Sequence, residues 1–363
     1  MKDRMVARKN ILLLIIFALL CTTHQFTAVL LKEAGKAYFV LKKEVSPTNG
    51  VSLEVVQNVE LQNVDYCNCL ENIVSSHATS AAYCERSSPE YIFFAFYVDG
   101  NFVKLTSGKF SGSSEDSRSK SGINERGNIA AKMISQLWES IARVHIKSCL
   151  ALRTNNKHLF KRKRGILVID SELTAFPSYT STKVAAQIEF YNLLQRNLIA
   201  KEFLLIFLDP DMLLVGSVDE LLQTAKSYDV AVTVRNYVKM PINAGFVVVS
   251  GYSNPDLINL AFKEMIDIGK NLSTVFADQI ALKSVFPCSN YKKPSSYVTG
   301  YNLRILCTLA SRYNASPRDV HTKISKDTKV LHFKGDRKMF QDKTFRILKS
   351  KSARSAIEYN MNI

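Results

Sequence analysis

Asp209 and Asp211 stand one residue apart at the end of an apolar run, Glu202-Phe-Leu-Leu-Ile-Phe-Leu-Asp209-Pro-Asp211. In extended backbone, residues i and i+2 project to the same side, so the two carboxylates sit together. Pro210 has no N–H to give to a sheet ladder, so strand pairing stops there. The pair then lies at the carboxyl end of a strand, where open α/β sheets bind ligands. Two hard oxygen ligands suit Mg²⁺ or Mn²⁺, which can bridge to a diphosphate. Without a cation the carboxylates repel, and one keeps its proton. The plain alternative is an Asp-Pro-Asp turn after a buried strand.

Three later stretches carry further polar groups: Pro241-Ile-Asn243-Ala-Gly245-Phe-Val, Ala277-Asp278-Gln279, and His332-Phe-Lys-Gly335-Asp-Arg-Lys338. Each has a bland reading beside the chemical one. Asn243 and Gly245 can make a turn. Asp278 and Gln279 can complement a helix dipole. His332, in an apolar strand, can be a packed histidine.

The elements that position these groups follow from pattern. Phe203 to Leu208 reads as a strand buried on both faces. Tyr91 to Val98, Ile166 to Ile169, Asp229 to Val234, Gly245 to Ser250 and Lys329 to Phe333 also read as strands. Helical spacing marks Asn128 to Leu152, and an amphipathic helix is expected over Lys183 to Ile199. Ser217-Val-Asp-Glu220 has the form of a capping box, opening a helix to about Tyr228. Asn254-Pro255 starts another, with Gly269 as its stop. A short helix covers Ala277 to Val285. Ser107 to Gly122, rich in Ser, Gly and charge, reads as a loop. Strands alternating with helices predict an α/β fold, a mainly parallel Rossmann-like sheet with helices on both faces.

The four polar stretches, in this order, resemble the GT-A nucleotide-sugar glycosyltransferases, in particular the glycogenin-like (family 8) retaining group. The pattern there is Asp-x-Asp, Asn-x-Gly before a strand, Asp-Gln, then His-x-x-Gly-x-x-Lys. The resemblance implies a metal-dependent transfer of a sugar from a nucleotide-sugar, a UDP-sugar, to a glycan or protein acceptor. It implies Asp209, Asp211 and His332 as ligands of Mn²⁺ (or Mg²⁺), with Asp209 also on the donor's ribose. It implies Lys183, Asn243, Gly245, Gly335 and Lys338 at the donor, and Asp278 and Gln279 as candidate catalytic groups. Lys183 lies 26 positions (209 − 183) before Asp209, a longer interval than the family's. The family's Lys-Pro-Trp ending is here Lys338-Met-Phe. A nucleotide-contacting motif near Tyr91 is not recognisable. Two other readings stay open. One is a haloacid-dehalogenase-type phosphatase, with Asp209 on the nucleophile strand and Ser250 as a later motif. The other is a catalytically silent sugar-binding protein of the same fold.

The 363 residues are 47% hydrophobic and carry a net charge of +16, which favours anionic partners. No zinc-finger spacing or aromatic-laced basic motif appears, so nucleic acid is not expected as a partner. Basic residues between Lys2 and Lys9 precede the apolar run Ile11 to Cys21, and apolar character continues to Leu31. This predicts a signal-anchor with its N-terminus in the cytosol: a single-pass type II protein of the Golgi or endoplasmic reticulum membrane, or a secreted one if the segment is cleaved. The expected organisation is residues 1–31 tail and anchor, 32–90 stem or irregular region, 91–348 GT-A domain and 349–363 basic tail. Cys67, Cys69 and Cys84 cluster, and a Cys288–Cys307 bridge is expected in an oxidising compartment. Asn271-Leu-Ser273 and Asn314-Ala-Ser316 are glycosylation sequons.

Overall fold

The computed structural model describes residues 26–33, 36–43, 70–71, 74, 90–98, 121–145, 148–160, 166–169, 179–198, 202–237, 240–272, 274, 276–288, 292–319, 322 and 324–361. The chain divides into two units, Met1–Gln57 and Asn58–Ile363. In the first, β1 (Phe26–Glu33) and β2 (Lys36–Lys43) form an antiparallel hairpin. The hairpin straddles the expected boundary, with Phe26–Leu31 of the expected anchor in β1 and the start of the expected stem in the rest of the hairpin. Most of the expected anchor lies outside the described residues, as do Cys67, Cys69, Cys84 and nearly all of the Ser107–Gly122 loop. Among the described residues no helix is long and apolar enough to cross a membrane.

The second unit is built on a mixed sheet. Four adjacent strands are parallel: β3 (Tyr91–Tyr97), β4 (Ser148–Thr154), β5 (Ile166–Ile169) and β6 (Leu204–Leu208). A shorter strand, β7 (Met212–Leu214), belongs to a separate two-stranded sheet. β8 (Val230–Val234) and β9 (Ile242–Ser250) follow, then β10 (Ser295–Val298) and β11 (Arg304–Leu309). The strand order is β10-β11-β8-β9-β6-β3-β4-β5. β9 runs antiparallel to both of its neighbours, and β10 is antiparallel to β11. The expected parallel sheet is thus mostly parallel, with a reversed strand at its centre.

Successive residues of the central strands feed opposite faces, as extended backbone requires. Ile92, Phe94, Leu205 and Phe207 pack beneath α2 (Tyr179–Asn197), α4 (Pro255–Lys270) and α5 (Ala277–Val285). Phe93, Ala95, Leu204 and Ile206 pack beneath α1 (Ser121–Val144) and α3 (Asp219–Ala225). Leu70, from the region expected to be a stem, is fully buried in the first of these layers. Cys288 and Cys307 are joined by a disulfide, with Cα atoms 5.9 Å apart, as expected.

Several boundaries differ from the sequence reading, each for a physical reason. α1 ends at Val144, and the remainder of the periodic stretch is β4, buried at every residue. A buried strand and a buried helix face look alike in an apolar run. α2 is not amphipathic: it is buried along most of its length because it packs on α4 as well as on the sheet. Gly269 does not stop α4. It lies inside the helix, where a Cβ would come within 2.7 Å of Ser181 Oγ on α2. The capping box does not form, because Ser217 Oγ accepts from the N–H of Asp219 and Glu220 pairs with Arg312. The basic tail is helical as far as Met361, continuing α6 (Met339–Met361).

Candidate active site

β6 carries Asp209 to its place. Leu208 pairs with Phe246 of β9, and the Asp209 N–H donates to the Gly245 carbonyl at 3.0 Å. The chain turns at Pro210 and enters β7. There it meets β12 (Val330–His332), antiparallel, with Met212 opposite His332. The Phe333 N–H donates to the Asp211 carbonyl at 2.8 Å, extending that pairing to the turn. One turn therefore presents both carboxylates, and one strand pair brings in the imidazole. His332 Nε2 lies 3.1 Å from Asp211 Oδ1 and 3.4 Å from Asp209 Oδ2. One ligand atom from each residue falls within 4.8 Å of the other two. The side chains of Asp211 and His332 are 8% and 4% exposed, while Asp209, at 23%, opens the group to solvent.

Cations surround the carboxylates. Lys183 Nζ lies 2.6 Å from Asp209 Oδ1 and 3.3 Å from Asp278 Oδ2. Burial alone would discharge this ammonium, but the two carboxylates outweigh it and hold its pKa above the usual lysine value. Lys338 Nζ is 3.2 Å from Asp211 Oδ2. Burial pushes the Asp211 carboxyl up, yet His332 and Lys338 hold it well below the usual carboxylate range. Burial pushes Lys334 down to about 8, and the Arg235 guanidinium adds to this.

Asp278 Oδ1 accepts from the N–H of Gln279 at 2.8 Å, and Gln279 Oε1 accepts from Arg235 Nη2 at 2.6 Å. Gly245 sits where a Cβ would come within 2.5 Å of His332 Cε1 and 2.9 Å of Asp209 Oδ2. Its absent side chain is what lets the imidazole approach. Gly335 has another reason to be glycine. Its φ is +57°, opening the turn Gly335–Lys338 that returns Lys338 to Asp211. The backbone between β8 and β9 is irregular: Val232 pairs with Val247, but Thr233 pairs with Asn243. That bulge turns Asn243 toward the group, where its Oδ1 accepts from the Gly245 N–H at 3.1 Å.

Of the ten residues singled out from sequence, eight are joined by contacts, while Gln279 follows Asp278 and Gly335 opens the turn that carries Lys338. The plain packed-histidine reading fails for His332, because its Nε2 faces two carboxylates rather than apolar side chains. The phosphatase reading loses its second motif. Ser250 pairs with Leu204, at the opposite end of β6 from Asp209. Four neighbours were missed. Lys334 lies inside the His-x-x-Gly stretch. Arg235 and Thr233 close an ordinary strand, with no local signal. Asn314 was read as a sequon. It is 2% exposed, and its Oδ1 lies 2.8 Å from His332 Nδ1.

The group passes a chemical test for a divalent cation. Two carboxylates and an imidazole form a mixed oxygen and nitrogen set. Among the described residues it is the one group of three such ligands close enough to share an ion.

No family model and no curated protein matches the chain. Among solved structures it is similar to the bifunctional glycosyltransferase WbbM, at 12% identity and a TM-score of 0.38. That match covers 68% of this chain, which spans 46% of the length of WbbM. It is similar to a glycosyltransferase involved in glycosylation of the major capsid of PBCV-1, at 12% identity and a TM-score of 0.41, over 70% of this chain and 99% of that one. It is also similar to the galactosyltransferase LgtC, solved with donor and acceptor sugar analogues, at 14% identity and a TM-score of 0.40, over 72% of this chain and 95% of that one. The solved structures to which the chain bears this similarity are glycosyltransferases.

Proposed function

We propose that this chain is a metal-dependent glycosyltransferase that moves a sugar from a nucleotide-sugar, a UDP-sugar, to a glycan or protein acceptor. The observation that carries the reading is the meeting of Asp209, Asp211 and His332 at the carboxyl end of a central strand. These three would hold Mn²⁺ or Mg²⁺, which supplies a Lewis acid to a leaving diphosphate. The protein's own cations complete the setting. Lys338, half exposed, and Lys334 offer positive charge where negative charge grows as the sugar departs. Lys183 fixes Asp209 and Asp278 relative to each other. Asp278 and Gln279 are the candidate groups for the reacting face, and the transfer retains configuration in this reading.

The same reading makes the protein a type II membrane protein of the Golgi or endoplasmic reticulum, with its catalytic domain in the lumen. The basic flank before Ile11 and the Cys288–Cys307 disulfide support that compartment.

The test is to incubate the purified chain with a panel of nucleotide sugars and Mn²⁺ and follow release of the nucleoside diphosphate. Wild-type protein releases it from at least one donor, a chelator stops it, and Asp211→Asn is silent while melting as the wild type does. Release of inorganic phosphate from phosphorylated substrates instead, or full turnover by Asp211→Asn, rejects the reading.

A further inference from the structure

Asn314, Asn243, Thr233 and His332 form a hydrogen-bond network closed to solvent, with 2%, 2%, 0% and 3% exposure. Its polarity can be worked out from one fixed point. The Gly245 N–H can only donate, so the Asn243 atom 3.1 Å away is the carboxamide oxygen. Asn243 Nδ2 therefore faces Asn314, and the Asn314 atom it meets at 3.0 Å must accept, so that atom is Oδ1. Asn314 Nδ2 then points to Thr233 Oγ1 at 3.0 Å, and the threonine hydroxyl passes its own proton to the Asn243 carbonyl at 3.1 Å. Each carboxamide nitrogen of the network thus has an acceptor. What remains is Asn314 Oδ1, 2.8 Å from His332 Nδ1. A carboxamide oxygen only accepts, so Nδ1 carries the proton.

The consequence falls on the other ring nitrogen. With Nδ1 engaged by Asn314, Nε2 is the ring nitrogen left facing oxygens of Asp211 and Asp209, at 3.1 and 3.4 Å, where a cation held by all three would take it as a ligand. Resting on the cation site proposed above, we infer that Asn314 is the positioning residue that locks His332 as a metal-ready imidazole. A ligating histidine gains tautomer and ring orientation from a partner on its other nitrogen. This gives Asn314 a purpose that its sequon obscured. A glycan on Nδ2 would need room beside a side chain that is 2% exposed.

The experiment measures Mn²⁺ affinity of the full chain, by calorimetry or by the paramagnetic resonance of free Mn²⁺. The variants are Asn314→Leu, which keeps the shape without the acceptor, and Asn314→Asp, which keeps an acceptor toward Nδ1. Asn314→Leu should weaken Mn²⁺ binding by roughly 10–100-fold, and Asn314→Asp should stay near the wild-type value. Nitrogen-resolved NMR of the imidazole rings, with diamagnetic Mg²⁺ present, should show His332 protonated at Nδ1 in wild type and Asn314→Asp. Should Asn314→Leu fail to fold, the wild type, Asn314→Asp and the ring spectra decide. Unchanged Mn²⁺ affinity in Asn314→Leu, weakening in Asn314→Asp as large as that expected of Leu, or a His332 protonated at Nε2 overturns the inference and leaves the cation site standing. Absence of Mn²⁺ binding in the wild type overturns the cation site and the inference together.

Discussion

Lys183 Nζ lies 2.6 Å from Asp209 Oδ1 and bridges on to Asp278, tying the strand that ends at Asp209 to the start of α5. Its side chain is 6% exposed, so the ammonium is buried with its two counter-charges. Removing it leaves two carboxylates facing each other with little water. Lys183→Met should therefore destabilise the ligand-free protein by about 3 kcal/mol. Urea unfolding without donor or metal checks this. A lysine whose sole role was to touch a bound donor would leave that curve unmoved.

Gly245→Ala tests the close approach of the imidazole. The added methyl carbon would lie 2.5 Å from His332 Cε1 and 2.7 Å from Nδ1, inside contact distance. The ring must move, and with it Nε2. Mn²⁺ affinity should drop by at least about 10-fold, since displacing a ligand exceeds the loss of its supporting bond. Calorimetry with a melting curve separates this from unfolding.

His145 predicts an acid-sensitive fold. Its Nε2 accepts from the Val218 N–H at 3.2 Å, and its Nδ1 faces Asp219 Oδ1 at 3.2 Å. Burial lowers its pKa, outweighing the pull of Asp219 in the other direction. In the unfolded chain a histidine takes up its proton near pH 6.5. Below that pH the unfolded state binds more protons than the folded one, so stability falls as pH drops. Urea midpoints at pH 7.5 and 5 should differ in that sense, and His145→Gln should flatten the difference.

The two sequons should behave differently. Asn271 is exposed at the end of α4, whereas Asn314 is buried with both ends of its carboxamide engaged. In protein made by eukaryotic cells, mass spectrometry should find Asn314 unmodified in the folded, Mn²⁺-binding fraction. A glycan there in an active fraction would contradict the buried network.

What the sequence disclosed follows a physical line. Strong short-range signals were readable: the run before Asp209, the Asn254-Pro255 helix start and the helix Ala277–Val285 appear where pattern put them. Eight polar residues and two glycines, spread from Lys183 to Lys338, are brought together by turns and strand pairings. Signals that depend on partners were not readable. Gly269 resembles a helix stop until Ser181 is seen against it. Ser217 resembles a cap until its hydroxyl is found to serve Asp219. Asn314 lies 18 positions before His332, an interval no local rule connects.

Asp211 and His332 are 121 positions apart (332 − 211), and every strand of the eight-stranded sheet has been synthesised by Leu309. Architecture and chemistry are therefore completed at different moments of translation. A chain that has emerged as far as β11 has the full set of strands for its large sheet, with the carboxylates side by side and no imidazole to join them. The three side chains of the proposed cation site therefore come together only once β12 has been made and has added itself to β7.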